Sequence, residues 1–206
     1  MRLGLFGGTF DPVHLGHLAI AEVARGHLGL DRVVFIPAGV PPHKDPVGVS
    51  PAHHRLAMVR GATADNPGFA VSDLELRRSG PSFAADTIEA FAAQAPSAEL
   101  FWLLGTDSVT ELHTWRDPPR LFALATFVGL ARPGWSRADV DRWFDAQPPG
   151  VRPRLEFVEV PLLDIASSAL RARMARGDSV RYLVPDAALA YIAAHGLYRT
   201  GRSPDA

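Results

Sequence analysis

The stretch Phe6-Gly7-Gly8-Thr9-Phe10-Asp11-Pro12-Val13-His14-Leu15-Gly16-His17 ends a short apolar run, passes two glycines and a proline, and brings two histidines to the start of a helical pattern. Residues 3–6 read as a buried strand and residues 16–28 as a helix, the opening of a parallel α/β unit. Gly7 and Gly8 let the backbone turn sharply and approach a ligand with no Cβ in the way. Their amides, with that of Thr9, offer a cradle for phosphate, and the positive end of the helix adds to that preference. His14 and His17 stand three apart, so both imidazoles can face one ligand. Imidazole donates a hydrogen bond or carries charge near neutral pH, which suits it to a growing negative charge on a leaving phosphate group. Other readings stay open on spacing alone. No GK[ST] closes the loop and no G-x-G-x-x-G is present. A two-histidine metal site lacks an evident third ligand nearby, and a glycine turn with two surface histidines is the plain alternative.

Outward from this loop, short apolar runs alternate with helical patterns. Strands are expected over 3–6, 32–37, 69–76, 100–104, 126–131 and 155–160. Helices are expected over 16–28, 51–64, 82–95, 107–115, 137–146, 167–176 and 185–195. Such alternation means parallel strands joined by crossover helices, an open α/β sheet with helices on both faces. One domain over 1–206 is expected, its last two helices forming a small C-terminal helical subdomain and residues 200–206 a frayed polar tail. In open sheets of this class ligands bind outside the carboxyl ends of the strands. That selects the loops after Phe6, Pro37, Leu104 and Ala131, and the segment after Val160.

Composition narrows the possibilities. The 206 residues are 47% hydrophobic and 21% charged, enough for a sizeable core. With no cysteine, disulfides, thiolate metal sites and cysteine nucleophiles are excluded. The net charge of −1 gives no basis for a nucleic-acid or membrane partner, so an anionic ligand must be held by a local cluster. The longest charge-free apolar run, 121–131, is too short to span a bilayer, and Asp11-Pro12 interrupts the N-terminal run. A cytoplasmic protein is expected, with a homo-oligomer left open.

The string from Gly8 to His17 resembles the G-x-F-x-P-x-H-x-G-H motif of the nucleotidyltransferase superfamily at every fixed position. That resemblance implies a Rossmann-like fold and nucleotidyl transfer with pyrophosphate as the leaving group. A second segment, Ile165-Ala166-Ser167-Ser168-Ala169-Leu170-Arg171, is similar to the superfamily's I-S-S-T-x-I-R motif, which opens a late helix over the triphosphate. Here Ala166 replaces the first serine and Ser168 the threonine. Ser168 is suited to cap the helix and donate to a phosphate oxygen, and Arg171, one turn on, to hold two oxygens. A serine-rich cap with a solvated arginine is the plain alternative. Lys44, after the second strand, and Arg132, after the fifth, add cations at predicted carboxyl-end loops.

The resemblance is closer in the middle of the chain. Pro41-Pro42-His43-Lys44, Pro81-Ser82-Phe83-Ala84-Ala85-Asp86-Thr87, Gly105-Thr106-Asp107-Ser108, Thr114-Trp115 and Gly196-Leu197-Tyr198 look like the bacterial nicotinate-nucleotide adenylyltransferase pattern. That family joins ATP to nicotinate mononucleotide with Mg²⁺, a step of NAD biosynthesis. The resemblance implies ATP contacts at Gly7, Gly8, Thr9, Phe10, His14, His17, Gly105, Asp107, Arg132, Ile165, Ser168 and Arg171. It implies mononucleotide contacts at Thr9, Lys44, Phe83, Ala84, Thr87 and Trp115, with Trp115 stacked on the pyridine and backbone amides near Phe83-Ala84 on its carboxylate. Phe83-Ala84 stands where the family usually has Tyr-Thr, a change that amide recognition tolerates. Trp115 could equally fill a core, and Asp107 could cap a helix instead of holding a ribose. Arg116, next to Trp115, is a further candidate for the carboxylate or a solvent-facing cation. His14, His17, Lys44 and Arg171 are the expected catalytic group, and no protein-held metal site is expected. A phosphopantetheine- or nicotinamide-mononucleotide-using relative and a non-catalytic nucleotide sensor are the rivals.

Overall fold

The computed structural model describes residues 1–41, 48–109, 111–131, 137–145 and 153–199 of the chain. Its centre is a six-stranded sheet of β1 (Arg2–Gly8), β2 (Arg32–Pro37), β3 (Phe69–Val71), β4 (Glu99–Gly105), β5 (Thr126–Ala131) and β6 (Leu155–Glu159). The order across the sheet is β3-β2-β1-β4-β5-β6 and every pairing is parallel. Around it lie α1 (Leu15–Leu28), α2 (Ala52–Thr63), α3 (Ala84–Gln94), α4 (Thr106–Val109), α5 (Pro118–Leu124), α6 (Arg137–Asp145), α7 (Ser167–Ala175) and α8 (Asp186–Ala194).

The two-residue period of the strands divides the apolar residues between the faces. Phe6, Val33, Phe35, Phe101, Leu103, Val128 and Leu130 join one buried cluster with Ala21 and Ala24 of α1, Met58 and Val59 of α2, Leu170 of α7 and Ile192 of α8. Leu3, Leu5, Val34, Ile36, Trp102, Leu104 and Phe127 join the other, with Ile88 of α3, Leu121 of α5 and Phe144 of α6. Both faces are therefore covered, as all-parallel sheets require. The last two helices share the first cluster directly with β1 and β2.

Three local differences from the sequence reading have physical causes. The strand expected over 69–76 stops at Val71. There the Ser72 hydroxyl accepts the Leu74 N–H at 3.2 Å, and Leu74–Arg77 winds into a 3-10 turn. The helix expected over 107–115 is only Thr106–Val109, followed by a 3-10 turn at Leu112–Thr114. The Thr114 hydroxyl donates to the Glu111 carbonyl at 2.7 Å, and Trp115 is extended (φ −71°, ψ 160°). Helix α5 was not expected, although Pro118 at its first turn is a start signal.

Candidate active site

The strand order reverses direction at β1, with β2 and β3 on one side and β4 to β6 on the other. A crevice opens at such a switch point, beyond the strands' carboxyl ends. Two cavities are found there, one against the end of β1 and one against the start of α1. The first, about 380 Å³, is lined by Gly7 and Gly8, by Glu75, by Phe83, Ala84 and Ala85 at the start of α3, and by Trp102, Trp115 and Arg116. The second, about 230 Å³, is lined by Phe6, His14, Gly16 and His17, by Gly105 at the end of β4 and Ser108 in α4, and by Leu163 and Ile165 before α7.

The loop's geometry refines its sequence reading. Gly7 and Gly8 remain in β1, opposite Ile36 and Pro37, and the Gly8 carbonyl accepts the Ala38 N–H at 2.8 Å. The turn comes later, at Phe10, whose φ of 51° is left-handed. The glycines are needed instead for contact, since a Cβ on Gly8 would lie 2.7 Å from the Phe10 ring and one on Gly7 2.8 Å from the Trp102 ring.

His14 is the N-cap residue of α1 and His17 its third residue. Their rings stack with centroids 3.6 Å apart and planes 24° apart. His17 Nδ1 accepts the backbone N–H of His14 at 3.2 Å. A neutral imidazole that accepts at Nδ1 carries its proton on Nε2, leaving Nε2 as a donor. The His17 and Phe10 rings meet edge to face, 5.0 Å between centroids.

Helix α7 is fastened to the same loop. The Ser167 hydroxyl donates to the Pro12 carbonyl at 2.9 Å and Arg171 Nη1 to the Asp11 carbonyl at 2.7 Å. The N-cap residue is Ala166, with no side-chain cap, so Ser168 is not the cap expected from sequence. Ser168 lies exposed in the first turn.

Behind the loop, the buried Arg55 guanidinium donates to four carbonyls, those of Ser50 (2.9 Å), Thr9 (2.8 Å), Ala38 (2.6 Å) and Gly39 (3.1 Å). Burial pushes its pKa below the usual arginine range, and Asp11, Tyr198 and Glu75 oppose that shift. Glu75, buried beside the first cavity, accepts the Thr87 hydroxyl at 2.7 Å. Burial holds its carboxyl above the usual carboxylate range, against hydrogen bonds from Thr87 and Ser82 and the charges of Arg78 and Arg55. Thr87 is thus behind the wall of the cavity, fully buried and engaged by Glu75 and Arg78.

The structure gathers Gly7, Gly8, Phe83, Ala84, Trp115 and Arg116 at the first cavity, and His14, His17, Gly105 and Ile165 at the second. Thr9 lends its carbonyl to Arg55, and Phe10 is buried against His17. Asp107 is the second residue of α4, which follows β4 directly. Lys44 and Arg132 lie outside the described residues. Sequence reading passed over Glu75, Trp102, Arg55 and Asp11 as site-building residues. Arg55 and Glu75 look like ordinary surface charges until the fold buries them, whereas Asp11 lay inside the quoted loop.

Among the described residues no three His, Cys, Asp or Glu side chains cluster as a metal cage. Nor is any described helix long and apolar enough to cross a membrane.

Known proteins match this arrangement from end to end. Residues 5–173 match the cytidylyltransferase-like family. A probable nicotinate-nucleotide adenylyltransferase of Thermomicrobium roseum is 47% identical over 199 residues, covering 97% of this chain and 92% of that protein. One of Roseiflexus sp. is 48% identical over 198 residues, covering 96% and 98%. The nicotinic acid mononucleotide adenylyltransferase of Plasmodium falciparum, solved in complex with NaAD, has the same fold, with a TM-score of 0.76 over 96% of this chain and 97% of that one at 17% identity. The two-histidine loop at the switch point and these full-length relatives agree, and the chain belongs to the nicotinate-nucleotide adenylyltransferase family.

Proposed function

We propose that this chain transfers the adenylyl group of ATP to nicotinate mononucleotide, giving nicotinate adenine dinucleotide and pyrophosphate. The observation that carries the reading is the pair of cavities, one against the end of β1 and one against the start of α1. The second, with the stacked histidines and the approach to α7, suits ATP. The first suits a pyridine mononucleotide, with the indole of Trp115 to stack on an aromatic ring. At the start of α3, Phe83 is an N-cap without a side-chain bond, so the amides of the first turn are free to meet a carboxylate. Arg116 at the rim adds a cation.

The chemistry asks mainly for positioning and charge stabilisation. A phosphate oxygen of the mononucleotide attacks the α-phosphorus of ATP as the bond to the β-phosphate oxygen breaks opposite. Pyrophosphate leaves with the electron pair, and no covalent enzyme intermediate forms. His14 and the Nε2 donor of His17 stabilise the charge that builds on the phosphates, with Arg171, Ser168, Lys44 and Arg132 as further donors. Mg²⁺ brought in with ATP would neutralise charge at the phosphates, a role that needs no cluster of protein carboxylates.

Pyrophosphate release is measured from ATP and Mg²⁺ with nicotinate mononucleotide, nicotinamide mononucleotide or phosphopantetheine as acceptor. Release is expected to be fastest with nicotinate mononucleotide. Preference for phosphopantetheine, or ATP binding without release, would overturn the reading.

A further inference from the structure

The β1–α1 loop carries a buried acid that the reaction does not use. Asp11 is 2% exposed and sits three residues before His14. Its Oδ1 accepts the phenolic O–H of Tyr198 at 2.5 Å, and its Oδ2 accepts the backbone N–H of Ser50 at 3.1 Å. Arg171 forms only a long ion pair with this carboxylate. Its Nη1 donates to the Asp11 main-chain carbonyl and stays 3.8 Å from Oδ2, beyond hydrogen-bond distance. The Arg171 side chain is about one-third exposed. The other nearby guanidinium, Arg55, has its donors on four carbonyls.

We propose that Tyr198 is a positioning residue for ATP binding, occupying the Asp11 carboxylate so that the Arg171–Asp11 ion pair stays long and Arg171 is available to the triphosphate. This rests on the reading of Arg171 as a triphosphate ligand. Two features of Tyr198 support it. Its backbone is left-handed, φ 64°, a state that a bulky residue keeps only where its surroundings fix it. Burial, reinforced by Asp11, also raises its pKa, so the phenol remains a donor at any physiological pH. Without the hydroxyl, Oδ1 of a buried carboxylate loses its donor. Arg171, already paired at 3.8 Å, is the cation placed to close onto the carboxylate, and a bidentate carboxylate–guanidinium pair competes with phosphate for it.

The test is ATP affinity, measured by calorimetry on the full chain with Mg²⁺ and no acceptor. Tyr198→Phe is expected to weaken ATP binding roughly tenfold, the scale of one lost charge-assisted contact. Asp11→Asn in the same background removes the charge that captures Arg171 and is expected to restore affinity. In an Arg171→Ala background, Tyr198→Phe is expected to add no further loss. Unchanged ATP affinity in Tyr198→Phe, or a loss that Asp11→Asn does not relieve, overturns the proposal. If Tyr198→Phe does not fold, as shown by circular dichroism, Asp11→Asn alone decides, and weaker ATP binding than wild type overturns the proposal. Normal ATP binding by Arg171→Ala overturns the reading of Arg171 together with the proposal, whereas the other failures leave that reading standing. The identity of the acceptor affects none of these measurements.

Discussion

Arg116 stands at the rim of the first cavity with its guanidinium 4.9 Å from the Phe83 ring centre and 3.4 Å from Asp86 Oδ2. Asp86 is shared, since Arg120 approaches it at 3.9 Å. The Arg116 side chain is 58% exposed, and an ion pair so open to water contributes little, under about 1 kcal/mol. A ligand carboxylate could therefore replace Asp86 without a large penalty. The Phe83 contact keeps the guanidinium above the first turn of α3, where the amides would meet the same carboxylate. Arg116→Ala is expected to raise KM for nicotinate mononucleotide roughly three- to tenfold, about 0.7–1.4 kcal/mol, and to change that for nicotinamide mononucleotide by less than about twofold. Steady-state kinetics on both acceptors checks this. Equal increases would mean that Arg116 acts only by packing on Phe83.

At the scale of elements, helix α1 does two things at once, closing one face of the sheet and placing both histidines. Gly16, in its first turn, links these roles, for a Cβ there would lie 3.0 Å from His14 Nδ1 and 3.8 Å from Ile165 Cβ. Alanine is the better helix former by about 1 kcal/mol, so Gly16→Ala should not lower the melting temperature. It should displace the His14 ring from its stack on His17 and lower kcat, by roughly tenfold if placement is what the histidines supply. Wild-type kcat in a normally folded Gly16→Ala would show that the stack is not part of the chemistry. Much of the element order could be read from the chain, because period-two apolar runs and amphipathic helices record which face each residue covers. The boundaries that failed lie where side chains bond locally to the backbone, at Ser72 and at Thr114. The loop's own residues were readable as a motif, but its bracing was not. Nothing in sequence spacing brings Arg55 to Thr9 across 46 positions, or Tyr198 to Asp11 across 187. Gly7 and Gly8 show the reverse case, since a glycine pair suits a turn and a close contact equally well until the Trp102 and Phe10 rings are in place.

Across the whole molecule, the net charge of −1 leaves the site's electrostatics to a few buried groups around β1. Arg55 ties the β1–α1 loop to the segment after β2, and Glu75 ties that segment's neighbour to α3 through Thr87. The arrangement places a carboxyl group among apolar walls, where burial favours its protonated form. The consequence reaches global stability. The folded state binds the Glu75 proton more tightly than the unfolded state, whose value is near 4.5. Its stabilising contribution is therefore complete below that value and is lost as pH rises through the higher folded value. Glutamine keeps the shape and can still accept from Thr87, but it does not titrate. The melting temperature of Glu75→Gln minus that of wild type should therefore rise as pH is raised from about 4.5 toward neutrality, then level off once wild-type Glu75 is ionised. Arg25 acts in the opposite sense on Glu22, but that pair is present in both proteins and cancels from the difference. A difference that stays flat, or falls, across that range in thermal scans would mean that Arg78 and Arg55 offset the burial of Glu75, and that its carboxylate is a settled ion pair beside the first cavity.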